Sequence, residues 1–132
     1  MSNVHMTETV RHDIRVKVET AYIEEQSDPE QNRYVFAYSI TITNIGTVTA
    51  QLLRRHWSIT DANNRVQEVH GEGVVGEQPV LRPGEHYHYT SGAVLETRFG
   101  YMQGIYDMMG DDGVEFTAII PIFSLSIPHS LH

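Results

Sequence analysis

The sequence of 132 residues has no cysteine, a single lysine at Lys17 and no long uninterrupted apolar segment. Without cysteine, the chain has neither a disulfide framework nor thiol chemistry. No apolar run approaches the about 20 residues that a membrane-spanning helix requires, and the first residues lack the apolar core of a signal peptide. We therefore expect a cytoplasmic protein that does not bind membranes.

Basic side chains are fewer than acidic ones. Nine lysine and arginine residues stand against 17 aspartate and glutamate residues, which gives a formal net charge of −8 at pH 7. Sequence-independent binding of nucleic acids depends on basic residues that neutralise many phosphates. The composition therefore argues against a nucleic-acid partner, although it leaves room for a small local anion site.

Hydrophobic side chains recur with a period of two along most of the chain. The clearest segment is residues 34–43, in which aromatic and branched aliphatic residues alternate with small ones. Such alternation is typical of half-buried β-strands, and no segment keeps the 3.6-residue period of a helix. We predict one domain over residues 1–132, an all-β, immunoglobulin-like antiparallel sandwich of about seven to eight strands. The fibronectin type III variety fits best, because no disulfide is available to the core.

A glycine-rich segment, HGEGVVGE, has the spacing G-x-G-x-x-G at Gly71, Gly73 and Gly76. In dinucleotide-binding folds this motif lies between a strand and a helix whose N-terminus holds a pyrophosphate. Here Pro79 and further β signals follow, so the required helix is missing. Our first interpretation is a glycine-rich connection between strands. The alternative is an anion-binding nest of backbone amides, assisted by the nearest downstream bases, Arg82 and Arg98.

Two histidines, His86 and His88, are spaced to share one face of a strand and could therefore reach one metal ion. The spacing does not decide whether a third ligand would come from His70, Glu68 or Asp111. The other interpretation is a solvent-facing strand that carries histidines without binding a metal. The sequence implies no cofactor.

The sequence also lacks a recognisable catalytic constellation. There is no G-x-S-x-G elbow and no helix to carry one, so we expect a protein that is not an enzyme. The segment FGYMQGIYDMM is rich in tyrosine and methionine, which occur both in cores and in adaptable contact surfaces. Those of its side chains that face outward would anchor a protein partner.

Three longer segments together resemble the ApaG family. They are GEGVVGEQPVLRPGEHYHYTSGAVLET, GYMQGIYDM and the later IPIFSLSIP, and the stretch around Trp57 and Asp61 fits as well. The resemblance covers essentially the whole chain. It implies a fibronectin type III-like sandwich and offers no established set of catalytic residues. It also implies that Gly71, Gly73 and Gly76 are the glycines suggested for this family as a pyrophosphate site.

The resemblance implies an indirect role in the handling of divalent cations. Bacterial members are often encoded beside a diadenosine tetraphosphate hydrolase and are linked to cobalt resistance and magnesium efflux, and related domains occur in eukaryotic interaction proteins. We therefore expect a non-enzymatic module that binds an unidentified protein and has an indirect role in divalent-cation homeostasis. The alternative is nucleotide or pyrophosphate binding through residues 71–76. The unpaired edges of a sandwich also make a homodimer an option.

Overall fold

A computed structural model describes residues 9–128 of the chain, so residues 1–8 and 129–132 lie outside the described part. Within residues 9–128 the backbone forms eight strands and two 3₁₀ turns, Glu24–Gln26 and Pro29–Gln31. The strands are β1 (Ile14–Tyr22), β2 (Tyr34–Asn44), β3 (Ala50–Asp61), β4 (Val66–Glu72), β5 (Val80–Leu81), β6 (His86–Leu95), β7 (Phe99–Gly110) and β8 (Glu115–Ser126).

The strands form two antiparallel sheets. The smaller sheet has the order β1-β2-β6, and the larger has the order β4-β3-β7-β8, with β5 paired to β3. The predicted antiparallel β-sandwich and its strand number are confirmed, whereas the likeness to fibronectin type III domains in particular stays a prediction. No helix within residues 9–128 is long and apolar enough to span a bilayer.

The core lies between the sheets and is built from the alternating side chains that the sequence indicates. In β2 every second residue from Tyr34 to Ile42 is buried. Trp57 of β3 is 3% exposed and meets the rings of Tyr38 and Tyr106 edge-on. Burial of such apolar surface supplies the main free energy of folding. The largest fully buried apolar side chains are Tyr106, Phe36, Ile40, Ile42, Leu52, Met102, Met108, Ile120, Leu125 and Val74.

Asn44 at the end of β2 and Thr60 near the end of β3 are the buried polar residues within residues 9–128, and Asn44 is the more deeply buried of the two. Its amide nitrogen donates to the carbonyl oxygens of Val48 and Leu81, both at 2.9 Å. Its amide oxygen accepts from the backbone N–H of Gly46 at 2.9 Å. A buried amide is stable only when its polar atoms are satisfied in this way. Asn44 therefore ties the turn after β2 to β5.

Pro121 lies within β8, which is an edge strand of the larger sheet. The pairing of β7 with β8 shifts register between Met102 and Gly104, opposite the proline. A proline cannot donate to a sheet ladder and is found at edges and bulges. Pro121 occupies both kinds of position, an edge strand and a register shift.

Candidate functional site

The glycine-rich segment is a tight β-hairpin turn. The backbone N–H of Val74 donates to the carbonyl of Glu77 at 2.8 Å, and the N–H of Glu77 donates back at 2.9 Å. Between them, Val75 and Gly76 have φ values of 50° and 79°. Positive φ at both central residues defines a type I′ turn, whose twist matches that of paired strands. We call residues 73–77 the glycine hairpin.

This geometry bears directly on phosphate binding. Gly73 donates its N–H to the carbonyl of Leu53 at 2.8 Å, and the amides of Val74 and Glu77 are used by the turn itself. An anion nest needs successive backbone N–H groups that converge on one point. Within residues 73–77 only the N–H groups of Val75 and Gly76 have no backbone acceptor, so the hairpin alone offers few amides to an anion.

An arginine from β3, Arg55, lies over this segment. Arg55 pairs directly with Gly71 across β3 and β4. Its guanidinium Nη1 donates to the carbonyls of Glu72 at 3.0 Å and Gly73 at 2.9 Å. The absence of a side chain at Gly71 gives the guanidinium its path, since an added Cβ would lie 2.7 Å from it. Arg55 therefore holds the base of the glycine hairpin from the inner side of the sheet.

A cleft of about 270 Å³ opens between the two sheets at this point. Arg55 and the glycine hairpin form one wall, and Tyr89 and Ser91 of β6 form the other. Deeper in, the hydroxyl of Tyr89 lies 2.5 Å from the hydroxyl of the buried Tyr106. We call this space the inter-sheet cleft.

Burial raises the pKa of both Tyr89 and Tyr106 far above the usual tyrosine range, and the nearby Arg55 charge opposes part of that rise. Both phenols therefore stay protonated at physiological pH. Each has one hydrogen to donate, and the bond between them uses only one of the two. The other hydrogen remains free to reach a further acceptor.

The arginines expected from the sequence lie elsewhere. Arg82 is exposed in the turn between β5 and β6, and its Nε lies 3.6 Å from the carboxylate of Glu85. Arg98 is exposed between β6 and β7, where Gly100 pairs with Asp61 at the far end of β3. That end is about 25 Å along the strand from Leu53, at about 3.3 Å per residue. The structure therefore does not bring Arg98 to the glycine hairpin.

His86 and His88 share the outer face of β6, as the sequence predicts, and both are exposed. His88 Nδ1 lies 2.9 Å from the hydroxyl of Thr41 on β2. His70 and Glu68 lie on β4, in the other sheet, and do not join them. Across residues 9–128, no group of three histidine or acidic side chains is arranged to hold a metal ion.

A different histidine pair forms a hydrogen-bonded chain on the outer face of the larger sheet. His56 and His70 pair across β3 and β4, with 2.7 Å between their Nδ1 atoms. His56 Nε2 lies 2.7 Å from Asp107 on β7, whose carboxylate also accepts from Arg54 at 3.0 Å. We call His56, His70 and Asp107 the histidine chain.

The direction of the bonds in this chain follows from Asp107. The hydrogen bond from His56 holds the pKa of Asp107 below its usual range, with a further contribution from Arg54, against a smaller opposing effect of burial. The carboxylate is therefore ionised and accepts only. In its neutral form, a His56 that donates from Nε2 to this carboxylate accepts at Nδ1, and His70 Nδ1 is then the donor.

Ser58 lies close to the histidine chain, so the residue types of a hydrolytic triad occur together. A triad requires the base to bond both the nucleophile and the carboxylate. In His56 one nitrogen is bonded to Asp107 and the other to His70. No nitrogen of His56 is left for the Ser58 hydroxyl, so the arrangement is not that of a nucleophilic hydrolase.

Beside the histidine chain runs a groove of about 540 Å³. One side is polar, with His56, His70 and Glu68. The other side consists of exposed apolar residues of β8, where Ile119 is 73% and Ile122 is 66% exposed. We call this the outer groove. Large exposed apolar side chains grouped in this way are typical of contact sites.

Arg55, His56 and Asp107 are absent from the residues selected on the sequence, and His70 is selected there only as a possible third ligand beside His86 and His88. The sequence nevertheless contains a signal for the contacts of Arg55 and His56, because the turn at residues 61–64 predicts that β3 and β4 form a hairpin. Counting outward from that turn places Arg55 opposite Gly71 and His56 opposite His70.

Fold and site together define a small antiparallel β-sandwich with a glycine hairpin at the mouth of its inter-sheet cleft. Residues 24–110 match the family of the ApaG domain. The chain belongs to the ApaG family, as the resemblance in its sequence indicates.

Its relatives cover nearly the whole chain. It is 58% identical over 127 residues to Protein ApaG of Xanthomonas campestris pv. campestris strain B100, a match that covers 96% of this chain and all of the relative. Protein ApaG of Thiobacillus denitrificans is 59% identical over the same length and coverage. A crystal structure named for the ApaA protein of Bordetella pertussis superposes with a TM-score of 0.88 at 50% identity, over 90% of this chain and 97% of that one.

Proposed function

We propose that the protein is a non-enzymatic module that binds another protein through the outer groove. The exposure of Ile119 and Ile122 side by side on β8 carries the proposal. Apolar side chains in the centre of a contact surface, surrounded by polar groups, are the usual anatomy of an interface. The hydrogen-bonded histidine chain supplies that polar border on one side.

The charges near the outer groove indicate the kind of partner. Glu68 lines the polar side of the groove, and the chain as a whole has a formal net charge of −8. Complementary charge steers association and selects partners. We expect a segment with an apolar side chain that enters beside Ile119 and a basic residue that faces Glu68.

The role in cobalt resistance and magnesium efflux that the family resemblance implies would then be indirect. The partner, or a complex that the partner enters, would act on the cation. A cytoplasmic location fits such a role. On this proposal, loss of partner binding through the outer groove would abolish the cation phenotype without any change in metal affinity of the isolated protein.

Nucleotide or pyrophosphate binding through residues 71–76 is the alternative. It has less support, because the turn uses most of the hairpin amides and Arg98 lies at the other end of the sandwich. Direct binding of cobalt or magnesium would rest on His86 and His88, and no third histidine or acidic side chain within residues 9–128 joins them to form a metal site. Neither alternative explains the exposed isoleucines.

Binding through the outer groove can be tested with matched surface variants. Ile119→Asp and Ile122→Asp place a charge in the groove, whereas Val94→Asp places one on an exposed strand residue of the smaller sheet, where the valine is 48% exposed. Crosslinked complexes would be recovered from native extract and quantified by mass spectrometry. We expect a protein that the wild type and Val94→Asp recover equally and both groove variants lose.

Equal recovery of every partner by all three variants would refute the groove as the contact surface. Sedimentation of the purified protein tests a second copy as the occupant. A dimer that Ile119→Asp dissociates would replace the proposed foreign partner with self-association.

A further inference from the structure

We propose that the inter-sheet cleft binds one small oxyanion group, a carboxylate or a phosphate, between Arg55 and Tyr89. This site is separate from the outer groove, because Arg55 faces the space between the sheets while His56 faces outward. Nothing in the G-x-G-x-x-G spacing indicates it, since its donors come from β3 and β6.

The first argument is the environment of Arg55. The other seven arginines and Lys17 all fall within residues 9–128 and are exposed, whereas Arg55 is half-buried. None of the described carboxylates lies within 4.0 Å of its guanidinium, which is absent from the ion pairs of residues 9–128. A half-buried charge with no carboxylate in direct contact is costly. A bound anion would supply that charge.

The second argument is the number of unused donors. A guanidinium has five N–H donors. The two on Nη1 account for the bonds to the carbonyls of Glu72 and Gly73. The edge formed by Nε and Nη2 has no acceptor among the described residues. That edge matches two oxygens of a carboxylate or phosphate, which it binds in a bidentate manner.

The opposite wall of the cleft supplies further donors. Tyr106 is fully buried and Tyr89 lines the cleft, so the geometry favours donation from Tyr106 to Tyr89. The hydroxyl hydrogen of Tyr89 can then point into the cleft. Ser91, two residues further along the same face of β6, places a second hydroxyl on this wall.

The size of the cleft and the charge of its walls restrict the kind of ligand that it can bind. The cleft measures about 270 Å³, which is below the roughly 300–1,000 Å³ of pockets that enclose drug-sized ligands. It holds the terminal group of a ligand and excludes a whole nucleotide. Glu72 also lines the cleft, so each added negative charge on the ligand is repelled. We therefore expect pyrophosphate to bind no more tightly than phosphate.

The test is a titration of the ¹⁵N-labelled full chain with acetate, phosphate and pyrophosphate, each against sodium chloride at equal ionic strength. Acetate and phosphate distinguish a carboxylate from a phosphate ligand. We expect saturable shifts of the Arg55 Nε–H signal and of the Ser91 amide with acetate or phosphate, and none with chloride.

Variants separate binding from folding. Arg55→Met should weaken binding roughly tenfold or more, because a charge-assisted bidentate contact is lost. Since that change also frees the hairpin carbonyls, Ser91→Ala serves as a milder variant, with an expected loss of roughly threefold. Glu72→Gln should strengthen binding roughly twofold to fivefold by removing repulsion. Arg82→Gln, which removes a distant exposed charge, should change nothing.

Unsaturable shifts with all three anions would overturn the proposal, as would shifts that Arg82→Gln abolishes and Ser91→Ala and Glu72→Gln leave unchanged. Tighter binding of pyrophosphate than of phosphate would overturn the single-group assignment. Ile119→Asp leaves the cleft intact, so failure of the outer groove would not affect this titration.

Discussion

The guanidinium of Arg55 occupies the space that a side chain at Gly71 would need. A Cβ on Gly71 would lie 2.7 Å from the Cζ, Nη1 and Nη2 atoms of Arg55. The φ angle of Gly71 is not in the left-handed region, unlike those of Gly73 and Gly76. A side chain at Gly71 would therefore have to displace the flexible end of Arg55, whereas Gly73 and Gly76 are favoured by the left-handed backbone of the hairpin.

Substitution Gly71→Ala should displace Arg55 and break its bonds to the hairpin. We expect a loss of about 1 kcal/mol in the free energy of unfolding, because the displaced guanidinium gives up its hydrogen bonds to the hairpin carbonyls. Gly92→Ala in β6 is the control, because a Cβ there would meet only the Phe36 carbonyl at an ordinary 3.4 Å. Urea denaturation would measure both, and equal stability of the two variants would contradict the role given to Arg55.

Val75 is a branched residue held at a φ of 50°. Left-handed backbone costs about 1–2 kcal/mol for most residues, and asparagine tolerates it better. Val75→Asn should therefore raise the free energy of unfolding by about 0.5–1 kcal/mol, judged by the same cost. Val80→Asn, at another exposed valine with ordinary strand backbone, should bring no gain. Thermal unfolding of both would show whether the gain is specific to position 75.

The lowered pKa of Asp107 makes part of the stability dependent on pH. Because its pKa is lower folded than the about 3.9 of an unfolded chain, Asp107 stabilises the protein above that value. The contribution is lost as the pH falls from about 5 through the folded pKa. Asp107→Asn should be less stable than wild type near pH 6, and the difference should shrink towards pH 3. The free energy of unfolding of both proteins would be measured between about pH 3 and pH 7. A stability difference that does not change with pH would contradict this expectation.

Asn44→Ala should be strongly destabilising, because it leaves the buried Leu81 carbonyl, the partly buried Val48 carbonyl and the Gly46 N–H without their side-chain partner. A buried group left unsatisfied costs about 1–3 kcal/mol, so we expect a total loss of about 3 kcal/mol or more. Asn63→Ala, in an exposed turn, should stay within about 0.5 kcal/mol of wild type. Chemical denaturation distinguishes them, and a mild effect at Asn44 would mean that water replaces its amide.

Much of the fold is predictable from the period-two pattern, because each strand has one face in the core. The alternation in β2 and the opposite faces of His88 and Tyr89 both follow from it. The candidate site is harder to predict from the sequence, because its contacts depend on which strands pair. Arg82 is near Gly76 along the chain, yet Arg55 reaches the glycine hairpin because β3 turns back on β4. Contacts across the two sheets, such as Tyr89 with Tyr106, leave no local trace in the sequence.

Pro121 removes one backbone N–H from the edge strand β8, beside the two most exposed isoleucines of residues 9–128. An uninterrupted apolar edge strand is a template on which further chains add and polymerise. With the ladder broken at its centre, β8 can present Ile119 and Ile122 to solvent without recruiting strands into a growing fibre. The outer groove can therefore contact an apolar side chain of a partner, while the edge of β8 beside it is a poor template for an added strand.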